Sequence, residues 1–243
     1  MVKLIIDFGN TLTKVGFYES NTLAYLHTTN NLSLKTLKDL IEEHAPVKAA
    51  ILSSVINYPE EINKYLKLNF TFIELDEHID IPLKNCFQTP ETLGKDRLAA
   101  VVAANSLYKN QNIMVINAGT CITYDLVNCE NEYLGGAISP GTTIRFKALH
   151  TFTDKLPLIE NSMPPTIVGK TTQECILSGV MNGALAEMDG MIDFFRSHYP
   201  DLKIILSGGD AKYFDNRLKN STFAFPNIVL NGLNIILDHY LEK

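Results

Sequence analysis

Short apolar runs separated by turn residues open the chain. Residues 2–6 read as a strand, Asp7-Phe8-Gly9-Asn10-Thr11 as a tight turn, and residues 14–18 and 23–27 as two more strands. That spacing predicts an antiparallel meander. The period then changes. Leu34, Leu37, Leu40 and Ile41 share one helical face within residues 34–44, and Ser33 stands where an N-cap belongs. Residues 49–53 read as a buried strand, 59–68 as a helix and 70–75 as another strand. An irregular stretch with Pro82 and Pro90 leads into a helix rich in small residues, 93–108.

The pattern repeats in outline further on. Strands are expected at 113–116, 121–127 and 133–138, with Asn117-Ala118-Gly119-Thr120 as the first turn. Helices begin near Thr142, a long one covers about 172–198, residues 203–206 form a strand, and 228–241 close the chain as a helix. Two successive β-β-β-α-β-α halves, each opening strand–[Asp/Asn]-x-Gly-[Asn/Thr]–strand, imply a diverged internal duplication. The period of roughly 110 residues is too long for a solenoid. The expectation is an α/β protein of two similar lobes, 1–110 and 111–243, around a cleft, with the polar break Lys109-Asn110-Gln111-Asn112 as boundary.

Composition narrows the partners. The 243 residues, 46% hydrophobic and 20% charged, suit a folded globular chain. A formal net charge of -6 argues against a protein that holds nucleic acid by neutralising its phosphates. The apolar start is interrupted by Asp7, too early for a signal-peptide core, and the uncharged helical stretch 98–108 is too short to cross a bilayer. A cytoplasmic protein with no membrane partner is expected. Cys86, Cys121, Cys129 and Cys175 match no zinc or CxxC spacing, so free, mostly buried thiols are expected.

Four segments carry candidate chemistry. In Asp7-Phe8-Gly9-Asn10-Thr11-Leu12-Thr13-Lys14, a glycine turn lets backbone amides approach an anion. The hydroxyls of Thr11 and Thr13 and the Lys14 ammonium add donors, and Asp7 suits a hydrated divalent cation bound to phosphates. The same residues also make an ordinary Gly-Asn hairpin whose Asp caps the turn. Asn117-Ala118-Gly119-Thr120 repeats the chemistry at the matching place, as two jaws on one triphosphate would require. Ser207-Gly208-Gly209-Asp210 follows a strand; its bare glycines suit a base or ribose, and Asp210 suits a helix N-cap. In Phe87-Gln88-Thr89-Pro90-Glu91-Thr92-Leu93-Gly94-Lys95-Asp96-Arg97, an acid and a guanidinium open a helix. Asp96 can take a proton from a substrate alcohol and Arg97 can grip a carboxylate, although the helix dipole alone also favours an acid there. Thr171-Thr172-Gln173-Glu174 fits a capping box. Gly179, Gly183 and Gly190 weaken a helix and suggest close helix packing, between lobes or across a dimer.

In order and spacing these segments, with Gly135-Gly136-Ala137-Ile138-Ser139-Pro140-Gly141, resemble the type III pantothenate kinases over nearly the whole chain. The resemblance implies an actin-like, ribonuclease-H-like ATPase fold and ATP-dependent phosphorylation of the 4′-hydroxyl of pantothenate, the first step of coenzyme A synthesis. It implies that the loop Asp7 to Lys14 binds ATP phosphates and that Thr120 touches ATP, beside Gly119, Gly208 and Gly209, which the loop chemistry already places on the nucleotide. It makes Asp96 the general base, and places Phe87, Gly94, Lys95, Arg97 and Thr172 on pantothenate. It further implies a homodimer, Mg2+ with ATP, and a monovalent cation, K+ or NH4+. Two positions depart from the family. Asn117 replaces the usual Asp before the second Gly-Thr loop, leaving an amide oxygen without charge at the monovalent site. Phe87 replaces the usual tyrosine and loses its hydroxyl. Another actin-like small-molecule kinase, or a non-catalytic nucleotide-binding regulator, are the competing readings.

Overall fold

The computed structural model describes residues 2–160 and 166–243. In chain order the elements begin β1 Val2–Phe8, β2 Thr13–Glu19, β3 Thr22–Thr29, α1 Leu34–Glu43, β4 Val47–Ser54, α2 Glu60–Asn69, β5 Thr71–Glu74, β6 Lys84–Asn85 and α3 Lys95–Leu107. They continue β7 Ile113–Ala118, β8 Cys121–Val127, β9 Glu132–Pro140, α4 Thr142–Thr151 and α5 Thr172–His198. The last are β10 Lys203–Ser207, α6 Ala211–Phe214, β11 Phe223–Ala224 and α7 Ile228–Leu241. Ser33 caps α1 as expected, its hydroxyl accepting from the Thr36 amide. The helix anticipated from Leu93 begins at Lys95, because Pro90–Thr92 turns as a 3-10 helix and Gly94 is the cap.

The chain divides into two units. Against the contiguous lobes expected from the duplication, the first unit takes in residues up to Asn110 together with Glu130–Leu134 and Asn227–Lys243. The second comprises Gln111–Cys129 and Gly135–Pro226. A terminal helix is free to cover either sheet; here buried side chains and an ion pair hold α7 on the first.

In the first unit the sheet order is β3-β2-β1-β4-β5, with β1 antiparallel to β2 and parallel to β4. Strand β1 shows why alternation matters. Leu4, Ile6 and Phe8 point into a core shared with Leu37, Leu40 and Ile41 of α1 and Ile62 and Leu66 of α2. Lys3, Ile5 and Asp7 point the other way. On that face Lys3, 2% exposed, places its ammonium 2.5 Å from Asp238 of α7. Helix α3 is buried from Arg97 to Asn105 without an exposed side, as a helix apolar all round requires.

The second unit repeats the plan. Its strands run β11-β10-β7-β8-β9, with β7 antiparallel to β8 and parallel to β10. So β7, β8, β9, β10 and β11 stand as β1, β2, β3, β4 and β5 do, and the duplication is visible in the topology. The helix α5 lays Leu177, Val180, Met181, Ala184, Met188 and Ile192 on this sheet's core. The start of β9 belongs to the first unit, where short β6 pairs with it, Lys84 against Glu132 and Asn85 against Tyr133.

The cysteines correct an expectation. All are free, but Cys86, Cys129 and Cys175 are exposed and Cys121 is half-buried, because each falls at an element edge or helix start rather than in a core strand. Among the described residues no helix is long and apolar enough to cross a membrane.

Removing Asp238 leaves the Lys3 ammonium buried without a counter-charge, which costs about 3 kcal/mol or more. Urea unfolding of Asp238→Ala should show that loss, and the same change made on a Lys3→Met background should show much less of it.

Candidate active site

The first unit builds one half of the chemistry around the end of β1. The β1–β2 turn is a hairpin closed by the Gly9 amide on the Leu12 carbonyl at 3.2 Å, so the hairpin and phosphate-loop readings coexist. Asn10, Thr11 and Leu12 are exposed at its tip, while Thr13 is buried. Phe8 turns into the core and stacks on Tyr58 with ring centroids 4.8 Å apart. It offers a ligand only its backbone. Lys14 donates from Nζ to Asn227 Oδ1 at 3.1 Å, at the start of α7.

Asp7 is 7% exposed and sits in register with Ser53 of β4. Asp7 Oδ1 and Ser53 Oγ are both buried with no hydrogen bond of good geometry to any described residue, the Ser53 hydroxyl lying beside the Asp7 carboxyl as a strained, weak donor. Burial, followed by the nearby Asp96 carboxylate, pushes the Asp7 carboxyl up to about 7, against the pull of Lys14 and of the Ser53 hydroxyl. Two carboxyl groups within electrostatic reach of each other, one with an unsatisfied oxygen, fit a divalent cation carried by a polyphosphate. Ser53 was not among the expected residues. The signal was present in its place at the C-terminal end of a parallel strand, where open α/β sheets bind ligands.

Asp96 lies in the first turn of α3, where its Oδ1 accepts from the Arg97 amide at 2.9 Å. Arg97 is 8% exposed, its guanidinium 5.8 Å from the centre of the Phe87 ring. That ring in turn stacks on Tyr133 at 6.2 Å and 10°. The Phe87 amide is held by Asn85 Oδ1 at 3.0 Å. Lys95 is engaged by Glu77 at 3.1 Å, so the ammonium between Gly94 and Asp96 enters the site already paired.

The second unit brings the other two expected segments together. Asn117, one residue before the end of β7, is in register with Ser207 and with Thr123, and the Gly119 amide closes the turn on Cys121 O at 2.9 Å. Gly208 has φ +101, and a Cβ there would lie 2.2 Å from the Ala118 carbonyl. That position has neither the conformation nor the space for a side chain. The Asp210 amide also bonds Ala118 O, at 3.0 Å. Gly208 and Gly209 are exposed, a bare backbone surface beside the Ala118–Gly119 turn. Asp210 does not cap α6 with its side chain: Oδ2 accepts from Thr142 Oγ1 at 2.7 Å instead. Thr171 caps α5 and its hydroxyl accepts from Glu174 N, while Glu174 returns to the Lys170 amide rather than to its cap. Thr172 is exposed at the first position of that helix.

The strand orders and these loops define a member of the actin-like ATPase fold. A glucokinase from an Antarctic psychrotroph superposes with TM-score 0.56 at 14% identity, covering 98% of this chain and 99% of that one. A Campylobacter jejuni protein described as a conserved Baf family transcriptional activator superposes with TM-score 0.62 at 19% identity, covering 99% and 100%. At such identities they share the fold alone. The family model for type III pantothenate kinase matches residues 3–193. The type III pantothenate kinase of Christiangramia forsetii is 41% identical over 238 residues, 98% of each chain. This chain belongs to the type III pantothenate kinase family.

The raised Asp7 carboxyl has a thermodynamic consequence. Folded Asp7 holds its proton up to about pH 7 while the unfolded chain releases it near 3.8. Between those values the folded state binds more protons, so this group's contribution to stability falls as pH rises and levels off above 7. Asp7→Asn should therefore melt at least about 5 °C above the parent at pH 8 and close to it at pH 4, read by calorimetry without nucleotide.

Proposed function

We propose that this chain transfers the γ-phosphoryl group of ATP to the 4′-hydroxyl of pantothenate, opening coenzyme A synthesis. The observation that carries the reading is the Asp7–Asp96 carboxyl pair at the end of β1, one member buried with an unsatisfied oxygen, in a chain of this family. Asp96 accepts the proton of the alcohol as its oxygen bonds to the γ-phosphorus and the bond to the β-phosphate oxygen breaks, releasing ADP. Arg97, steadied over the Phe87 ring, receives the pantothenate carboxylate. Gly94 and Lys95 are assigned to the same substrate, as is Thr172 at the start of α5. Gly9, Asn10, Thr11 and Lys14 take ATP phosphates in the first unit, and Gly119 and Thr120 do so in the second. Gly208 and Gly209 present bare backbone to the adenosine.

A divalent cation bound with ATP supplies charge neutralisation, and Asp7 is the residue that would hold it. A monovalent cation is supported by a second unsatisfied group. Thr123 Oγ1 is buried without a partner among the described residues, directly opposite Asn117 in the β7–β8 ladder. Side chains paired across antiparallel strands share a face, so amide and hydroxyl oxygens can serve one ion. The homodimer rests on α5, where Gly179, Gly183 and Gly190 are exposed and a Cβ on any of them would meet nothing within 4 Å. The reading places the protein in the cytoplasm, where ATP is at hand.

Pantothenate-dependent ADP release should be measured with Mg-ATP, with and without potassium. Turnover that depends on pantothenate is expected, and no turnover from folded protein in any salt would defeat the proposal. Turnover rising with potassium is expected if Asn117 and Thr123 hold the ion; turnover indifferent to potassium rejects that site while leaving the reaction. Asp96→Asn should lose about 10²–10⁴-fold in kcat with its melting temperature kept, and near-normal turnover would strike Asp96 from the mechanism.

A further inference from the structure

One polar cluster in the second unit has no part in the chemistry assigned so far. It centres on Glu187, halfway along α5. Its Oε1 accepts from Tyr124 Oη at 3.0 Å and from Ser139 Oγ at 2.5 Å, and its Oε2 accepts from Arg145. Arg145 also donates from Nε to the Pro140 carbonyl at 2.8 Å. Tyr124 is 1% exposed on β8, Ser139 and Pro140 end β9, and Arg145 is in the first turns of α4. One carboxylate therefore ties three successive elements to the long helix. Burial opposes its ionisation, but the three donors outweigh burial and lower its pKa.

What these elements share is the turn before β8. Gly141, directly after Ser139 and Pro140, donates its amide to Thr120 O at 3.1 Å. The approach is so close that a Cβ on Gly141 would lie 2.1 Å from Gly119 O and 2.4 Å from Thr120 O. A shift of the β9 exit is therefore transmitted to the backbone at Gly119 and Thr120 with no compliant side chain between. Tyr124 holds the other side of the same turn, four residues into the chain beyond it. A half-buried charged cluster is a poor choice for stability alone, because apolar packing of the same volume usually serves as well or better. Its directional bonds are suited to fixing a geometry.

We propose that Glu187 is a positioning residue for phosphoryl transfer: it clamps the exit of β9 through Ser139 and Arg145, and so sets the Gly119-Thr120 turn for the phosphates of ATP. The inference rests on the reading of Thr120 as an ATP contact, and the test separates the two. Steady-state kinetics of the full chain would compare Thr120→Ala, Glu187→Ala, Glu187→Gln and the double variant Thr120→Ala/Glu187→Ala. Glu187→Ala and Thr120→Ala should each raise the KM for ATP about tenfold, with smaller changes in kcat and with the KM for pantothenate within about twofold. Glu187→Gln still accepts from Tyr124 and Ser139 but loses the charge facing Arg145, so it should fall between parent and Glu187→Ala. The double variant should be little worse than Thr120→Ala, since both changes act on one contact. If Thr120→Ala raises the KM for ATP and Glu187→Ala does not, the positioning role is wrong and the Thr120 reading stands. If neither moves it, the loop reading fails and takes the inference with it. Equal rises for both substrates, accompanied by a lower melting temperature, would make Glu187 a structural staple only. Should Glu187→Ala be recovered unfolded, Ser139→Ala, which deletes one donor and no charge, must show the same ATP-selective signature or the proposal falls.

Discussion

A carboxyl group buried at the end of a central strand is the constraint around which the first unit is arranged. Asp7 is forced inward by the alternation of β1: with Leu4, Ile6 and Phe8 committed to one core, Lys3 and Asp7 must face the other side. Both therefore need partners there. Lys3 finds Asp238 on the terminal helix, whereas Asp7 meets a second acid, Asp96, and keeps one oxygen unsatisfied. Within one strand, the same face carries a satisfied charge that holds the fold and an unsatisfied one that costs stability. A protein retains the second kind where a ligand completes it.

The helix that presents Asp96 shows how that neighbour is kept in place. Buried all round, α3 cannot slide or rotate without disturbing packing on every side, so the acid in its first turn is fixed relative to β1. Arg97 shares the rigidity: its guanidinium lies over Phe87, and Phe87 is backed by Tyr133. Loss of the tyrosine hydroxyl expected at position 87 removes a hydrogen-bonding group but leaves the ring as a platform. In the second unit the equivalent precision comes from backbone rather than burial. Ala118 O takes the Asp210 amide and crowds Gly208, while Thr120 O takes the Gly141 amide. Two loops thus pack α-carbon to carbonyl against one turn, a geometry only glycine admits at the two contact points.

The sequence determined a great deal unaided. Hydrophobic period and turn residues located β8, α5 and α7 to the residue and most other elements to within two or three, because each is long or bounded by strong breakers. The repeat of strand–turn–strand segments foretold matching strand orders, and the ordered glycine, acid and arginine segments foretold the family. These are properties of local spacing, and local spacing is what a sequence displays. Other features were settled only by tertiary structure. Nothing local shows that α7 returns to the first unit, that the cysteines sit at exposed edges, or that Asp210 bonds Thr142 instead of capping its helix. Ser53 and Glu187 were invisible for the same reason: the residues they meet lie 42 or more positions away along the chain. Whether a buried polar atom is satisfied depends on which distant element arrives beside it, and that is decided when sheets and helices pack.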